Sequence, residues 1–153
     1  MTVANMKELK DEVLTVFKAA WDTTNGGNPY QVKYPGIANS ALPPENPTPT
    51  EPWAMVTLPG STNTQSTLAN YQGKKRFEFS GPLIISIFAP MGEDGTDPDG
   101  LVRELAQLVW EAYAGKNTDK QVWFRDATVN IIGESGNFYQ ANVSIDFTYD
   151  QIK

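Results

Sequence analysis

The chain reads as an α+β domain: a mainly antiparallel β-sheet with two helices packed on one face and a long β-hairpin excursion. Three observations predict this. Residues 5–22 and 101–114 repeat apolar side chains every three or four positions, the period of a helix with one buried side. Residues 83–89 are apolar on both faces apart from Ser86, which suits a strand inside a sheet and not at its edge. Near the C-terminus, Val143, Ile145, Phe147 and Tyr149 alternate with Asn142, Ser144, Asp146 and Thr148. One face of that strand is therefore buried, and the other is wet or shared with a partner.

The first helix is expected over residues 5–22. Asn5 is its cap, with Glu8 at the third helical position as in a capping box. Met6, Leu9, Val13, Val16, Phe17 and Ala20 form the apolar stripe, flanked by Leu14 and Trp21, and Asn25-Gly26-Gly27 ends the helix. A short strand at residues 30–34 follows. Residues 35–52 contain six prolines, which exclude helix and a central strand because proline lacks an N–H and fixes φ. A polyproline ligand for an aromatic groove is one reading. The reading preferred here is a surface crossover joining two strands.

Residues 53–58 form the second strand. The polar, uncharged stretch at 59–73 is too long for a structureless loop in a compact domain, so it is read as part of a hairpin whose tip is ordered by a neighbour. The long strand at 74–89 is expected to bend at Gly81-Pro82, where proline interrupts the ladder. The loop MGEDGTDPDG does not match a calcium-binding loop, since no Glu stands at its distal position. Asp97 as N-cap, Pro98 as first helical residue and Asp99 as an early-turn acid account for it. The second helix, 101–114, should bury Leu101, Leu105, Leu108, Val109 and Ala112, with Val102 and Tyr113 beside them and Gly115 as the stop. Residues 121–132 and 137–149 form a last hairpin around GESG. A phase change at Arg125-Asp126 marks a bulge or a break.

At 153 residues the chain is one domain, 1–153, long enough to bury roughly 68–70% of its unfolded surface. It has no cysteine and no histidine. That excludes disulfides, thiol catalysis, thiolate zinc sites, His-based triads and haem on His. A net charge of -6 makes duplex DNA a poor direct partner. With no apolar run long enough for a membrane span and no signal-peptide pattern at the start, a cytoplasmic, membrane-free protein is expected. An enzyme would need two acids converging in a pocket. Asp94, Asp97, Glu134 and Asp146 have no spacing that forces convergence, so no catalytic residue, cofactor or metal is assigned.

The order helix, proline-rich crossover, PWAMVTL, GKKRFEFSG, IFAPMGEDG, LVRELAQLVWEAY and IDFTYDQ resembles the tail-terminator family of long-tailed phages. That family includes the minor tail protein capping the lambda tail tube. The most specific piece has the form R-x-x-G-x-L-x-I-x-I-F-x-P-x-G; here it runs from Arg76 to Gly92 with extra residues before Gly81. The resemblance implies a virion structural protein, located at the neck end of the tail and assembled in the host cytoplasm. It implies a hexameric ring that sits on the tail-tube protein, stops polymerisation and docks the head-tail connector protein. A different neck or tail-tube ring component is the alternative. A ring needs a heterologous, closing interface. Its expected contributors are Thr62, Thr64, Gln65 and Tyr71 of the excursion, the basic run Lys74, Lys75 and Arg76, and Glu93, Asp94 and Asp97 of the acidic loop. Trp53 and Trp123 are read as core residues, with interface aromatics as the alternative.

Overall fold

The computed structural model describes residues 5–60, 62–65, 76–92 and 95–152. Helix α1 spans Met6–Trp21, and the backbone N–H of Glu8 donates to Asn5 Oδ1 at 2.9 Å as the cap. The Glu8 carboxylate is paired with Lys120 in the loop after the second helix, so this acid links the start of α1 to a distant segment. Leu9, Val13, Phe17 and Trp21 are the buried positions of α1, whereas Met6 is 68% exposed. The stripe is thus narrower than its apolar residues suggest. The chain leaves α1 through a turn in which Asn25, Gly26 and Gly27 all take positive φ, as the sequence requires.

Among the described residues six strands form one sheet: β1 (Gln31–Lys33), β2 (Trp53–Thr57), β3 (Thr62–Gln65), β4 (Arg76–Pro90), β5 (Trp123–Ser135) and β6 (Phe138–Ile152). Their order is β1-β2-β4-β6-β5, with β3 also paired to β4. All neighbours are antiparallel except β1 and β2, which the proline-rich crossover joins in parallel. Helix α2 (Pro98–Tyr113) lies with α1 on one face, so the α+β architecture is as expected. Strand β4 is central, and Leu83, Ile85 and Ile87 on its helix side are fully buried. Each contributes about 1.5–3 kcal/mol of apolar burial.

Four expectations need correction. The ladder between β4 and β6 runs unbroken from Arg76↔Ile152 to Pro90↔Phe138, so Pro82 does not interrupt it. The interruption is on the other edge of β4, where β3 pairs with 77–80, β2 pairs with 84–88, and residues 81–83 fall between them. A residue without an N–H is tolerated in such a gap.

The buried residues of α2 are Val102, Leu105, Ala106, Val109 and Tyr113, while Leu101, Leu108 and Ala112 are only half-buried. The helix is rotated toward the side on which Ala106 permits close approach to its neighbours.

The final hairpin turns at the end of GESG and not across it. Ser135 pairs with Phe138, and the turn is Gly136-Asn137, with Gly136 at φ 62°.

Finally, Trp53 is buried but Trp123 is 51% exposed, because it stands opposite Thr148 on the face that carries no helix.

That second face is covered only in part. Trp53 stacks on Phe88 with ring centroids 4.2 Å apart, and Phe138 meets both rings edge-on. The crossover is more than a surface strap: Leu42 within it is 1% exposed and lines a cleft of about 260 Å³ together with Trp53 and Pro49. Lys33 Nζ donates to Pro43 O at 2.9 Å and holds the crossover against β1.

Candidate subunit interface

Helix α2 spans a defined length of the sheet. At its start the Tyr139 hydroxyl donates to Asp99, and at its end the Tyr113 ring meets Phe124, the register partner of Phe147, at 4.8 Å. Five register pairs, from Ser80↔Thr148 to Arg76↔Ile152, lie beyond that level. They make an extension of about 17 Å at the usual strand rise. Strand β3 is added to this extension through Thr62↔Ser80, Asn63↔Phe79, Thr64↔Glu78 and Gln65↔Phe77. The excursion is therefore a hairpin built on the end of β4. Inside it Phe79 and Tyr149 stack at 5.0 Å, which ties β4 to β6 there.

Thr62, Thr64 and Gln65 thus lie in β3, and Arg76 begins β4. Tyr71, Lys74, Lys75, Glu93 and Asp94 lie outside the described residues. Asp97 is the N-cap of α2, accepting from the Gly100 N–H at 2.9 Å. It belongs to the opposite end of the sheet from the excursion, since α2 starts at the level of Tyr139 and ends near Phe147. Of the expected interface residues that are described, Thr62, Thr64, Gln65 and Arg76 therefore lie at one end of the sheet and Asp97 at the other. Two unlike patches are what a heterologous, ring-closing contact uses.

Of the acids weighed for catalysis, the three that are described do not converge. Asp146 stands opposite Arg125, Glu134 stands opposite Tyr139 near the hairpin turn, and Asp97 caps a helix. Among the described residues no group of three His, Cys, Asp or Glu side chains is placed to hold a metal ion. Among them, too, no helix is long and apolar enough to cross a membrane.

Shifted ionisations are structural. The Tyr139 hydroxyl, and then Arg103, hold the Asp99 carboxyl below its usual range. The same Asp99 contact raises Tyr139. Burial pushes the Tyr113 hydroxyl well above the usual tyrosine range.

A surface that the sequence reading did not single out lies on the helix-free face. Where Arg125 pairs with Asp146 and Thr128 with Ser144, β5 holds one residue more than β6. This bulge puts Asp126 at φ 46° and is steadied by Trp110, whose Nε1 donates to Ala127 O at 2.8 Å. Beside it opens a cleft of about 420 Å³ lined by Gly60, Pro82, Arg125, Asp126, Asp146 and Thr148, among others. The phase change at Arg125-Asp126 was the one sequence signal for it. The cleft itself depends on β4 and β6 meeting there, which local periodicity does not contain.

No protein-family model matches the chain, and no curated protein sequence does. Several solved structures match; one of them superposes with a TM-score of 0.56 at 13% identity, covering 92% of this chain and 94% of that one. At that identity the likeness shows a shared fold alone.

Proposed function

We propose that this chain is a ring-forming virion subunit: a tail terminator that closes a hexamer on the end of a phage tail tube, stops its growth and offers a surface to the head-tail connector protein. The observation that carries this reading is the β3–β4 hairpin, which extends the sheet past the level at which α2 ends. A hairpin that runs past the end of α2 supplies one half of a contact with a neighbouring subunit. The rest of the surface supplies a different half, as a closed ring requires. The polar face of β5 and β6 and the separation of the candidate acids fit a protein that binds and does not catalyse. The resemblance of the IFAPMGEDG and IDFTYDQ segments points the same way. We assign no cofactor and no reaction to it.

A second reading, another neck or tail-tube ring component, is favoured by the length of β4 and β6, since tube subunits build continuous inner sheets. Size-exclusion chromatography with light scattering, followed by negative-stain imaging, separates the two. A terminator gives single annuli with six times the chain mass. A tube protein gives filaments, and a particle that remains monomeric at high concentration and on isolated tail tubes contradicts both.

A further inference from the structure

We propose that the cleft on the helix-free face, between Pro82 and the Arg125-Asp126 bulge, is a binding site for a neutral oligosaccharide, with Trp123 beside it as the surface on which a sugar ring stacks. The inference goes beyond the ring reading and needs only one chain. Three observations support it.

The first is the array that the strand register builds. Trp123 stands opposite Thr148, which stands opposite Ser80; the next row on the same face is Arg125, Asp146 and Pro82. Positions in such rows are about 5 Å apart across the strands and about 7 Å apart along them. An aromatic residue is thus set next to hydroxyl, guanidinium and carboxylate residues within the span of a short sugar chain. Ser80, Pro82, Arg125, Asp126, Asp146 and Thr148 line the cleft, whose volume of about 420 Å³ falls in the range of small-molecule sites.

The second is the state of the charged groups. Arg125, Asp126 and Asp146 are exposed, and among the described residues their side chains make no hydrogen bond or ion pair. Glu78 with Asp150, and then Arg76, take the rows beyond Trp123, farther from the cleft. The cleft therefore offers a planar donor beside two acceptors. A phosphate or a nucleic acid would meet two carboxylates, and an amine would meet the guanidinium. A neutral ligand rich in hydroxyls satisfies both signs, since each hydroxyl donates and accepts.

The third is Trp123 itself. It is 51% exposed on a strand whose next residue, Phe124, is buried. An indole among polar groups offers an apolar face next to hydrogen-bonding partners. The C–H face of a pyranose suits the first, and its hydroxyls suit the second.

Isothermal titration calorimetry of the native chain with maltohexaose, cellohexaose and chitohexaose tests this, with spermidine and inorganic phosphate as charged controls. At least one oligosaccharide should bind, and neither control should compete with it. Trp123→Ala and Asp146→Asn, both at exposed positions, should each weaken that binding at least about tenfold without lowering the melting temperature. Pelleting with insoluble amylose, cellulose or chitin, reversed by the matching free sugar, would identify a polysaccharide surface as the source of the ligand. Binding of the soluble sugar without pelleting would identify a free oligosaccharide. The proposal is overturned if none of the three sugars binds, if either control competes, or if either variant binds at native strength. None of these results bears on the ring reading, which the imaging of annuli decides separately.

Discussion

The hydroxyl of Tyr113 in α2 donates to the main-chain carbonyl of Val13 in α1 at 2.7 Å, joining two helices whose partners are 100 residues apart in sequence. Both residues are fully buried, so the bond replaces water that neither group can reach. Tyr113→Phe should therefore cost about 1–3 kcal/mol in denaturant unfolding.

Tyr113 also sets an alkaline limit. Burial raises its folded-state pKa above the ordinary tyrosine value of 10.0, so the folded chain keeps the proton that the unfolded chain releases. The associated stability is complete below about pH 10 and is lost as pH rises beyond it. Chemical unfolding between neutral pH and the alkaline range should show a steeper loss for the native chain than for Tyr113→Phe.

The cap of α2 makes a prediction that runs against helix propensity. Asp97→Ala should cost about 0.5–2 kcal/mol, and Asp97→Asn much less. Gly100→Ala would ordinarily gain up to about 1 kcal/mol in a helix. Here the added methyl would run into the Asp97 carboxylate, so the substitution should be neutral or destabilising. Thermal melts of the three variants check the order.

The two faces of the sheet should respond differently to truncation. Ile85→Ala, at a position with 0% exposure between β2 and β6, should cost about 2–5 kcal/mol. Trp123→Ala, on the half-bare face, should lie within about 0.5 kcal/mol of the native chain as a monomer. Urea unfolding below the assembly concentration measures both.

The bulge in β5 depends on a donor from α2. Trp110→Phe keeps an aromatic ring against the core and removes the N–H that Ala127 O accepts. A cost of about 1–3 kcal/mol is expected, with faster hydrogen exchange around residues 125–128.

What was legible in the sequence follows local rules. The caps at Asn5 and Asp97, the left-handed turn at Asn25-Gly26-Gly27, the place of residues 83–89 inside the sheet and the bulge near Arg125 all depend on neighbours a few residues away. The rest depends on contacts between distant segments. Leucines alone misplace the buried side of α2, because Ala106 is buried for its small size and Tyr113 because a carbonyl of α1 meets its hydroxyl. Trp53 and Trp123 look alike in sequence. One is covered by Phe88, Phe138 and the crossover, and the other falls on a part of the same face that the described residues leave half open. The expected interface residues were legible as polar or charged positions, but the separation of the described ones, Thr62, Thr64, Gln65 and Arg76 from Asp97, required the register of β4 with β3 and β6.

Tail length tests the central claim most directly. Particles assembled without this chain, imaged by electron microscopy, should carry tail tubes of irregular and extended length that fail to join heads. Supplying the native chain should restore uniform tails. Tails of normal, uniform length attached to heads in its absence would contradict the account.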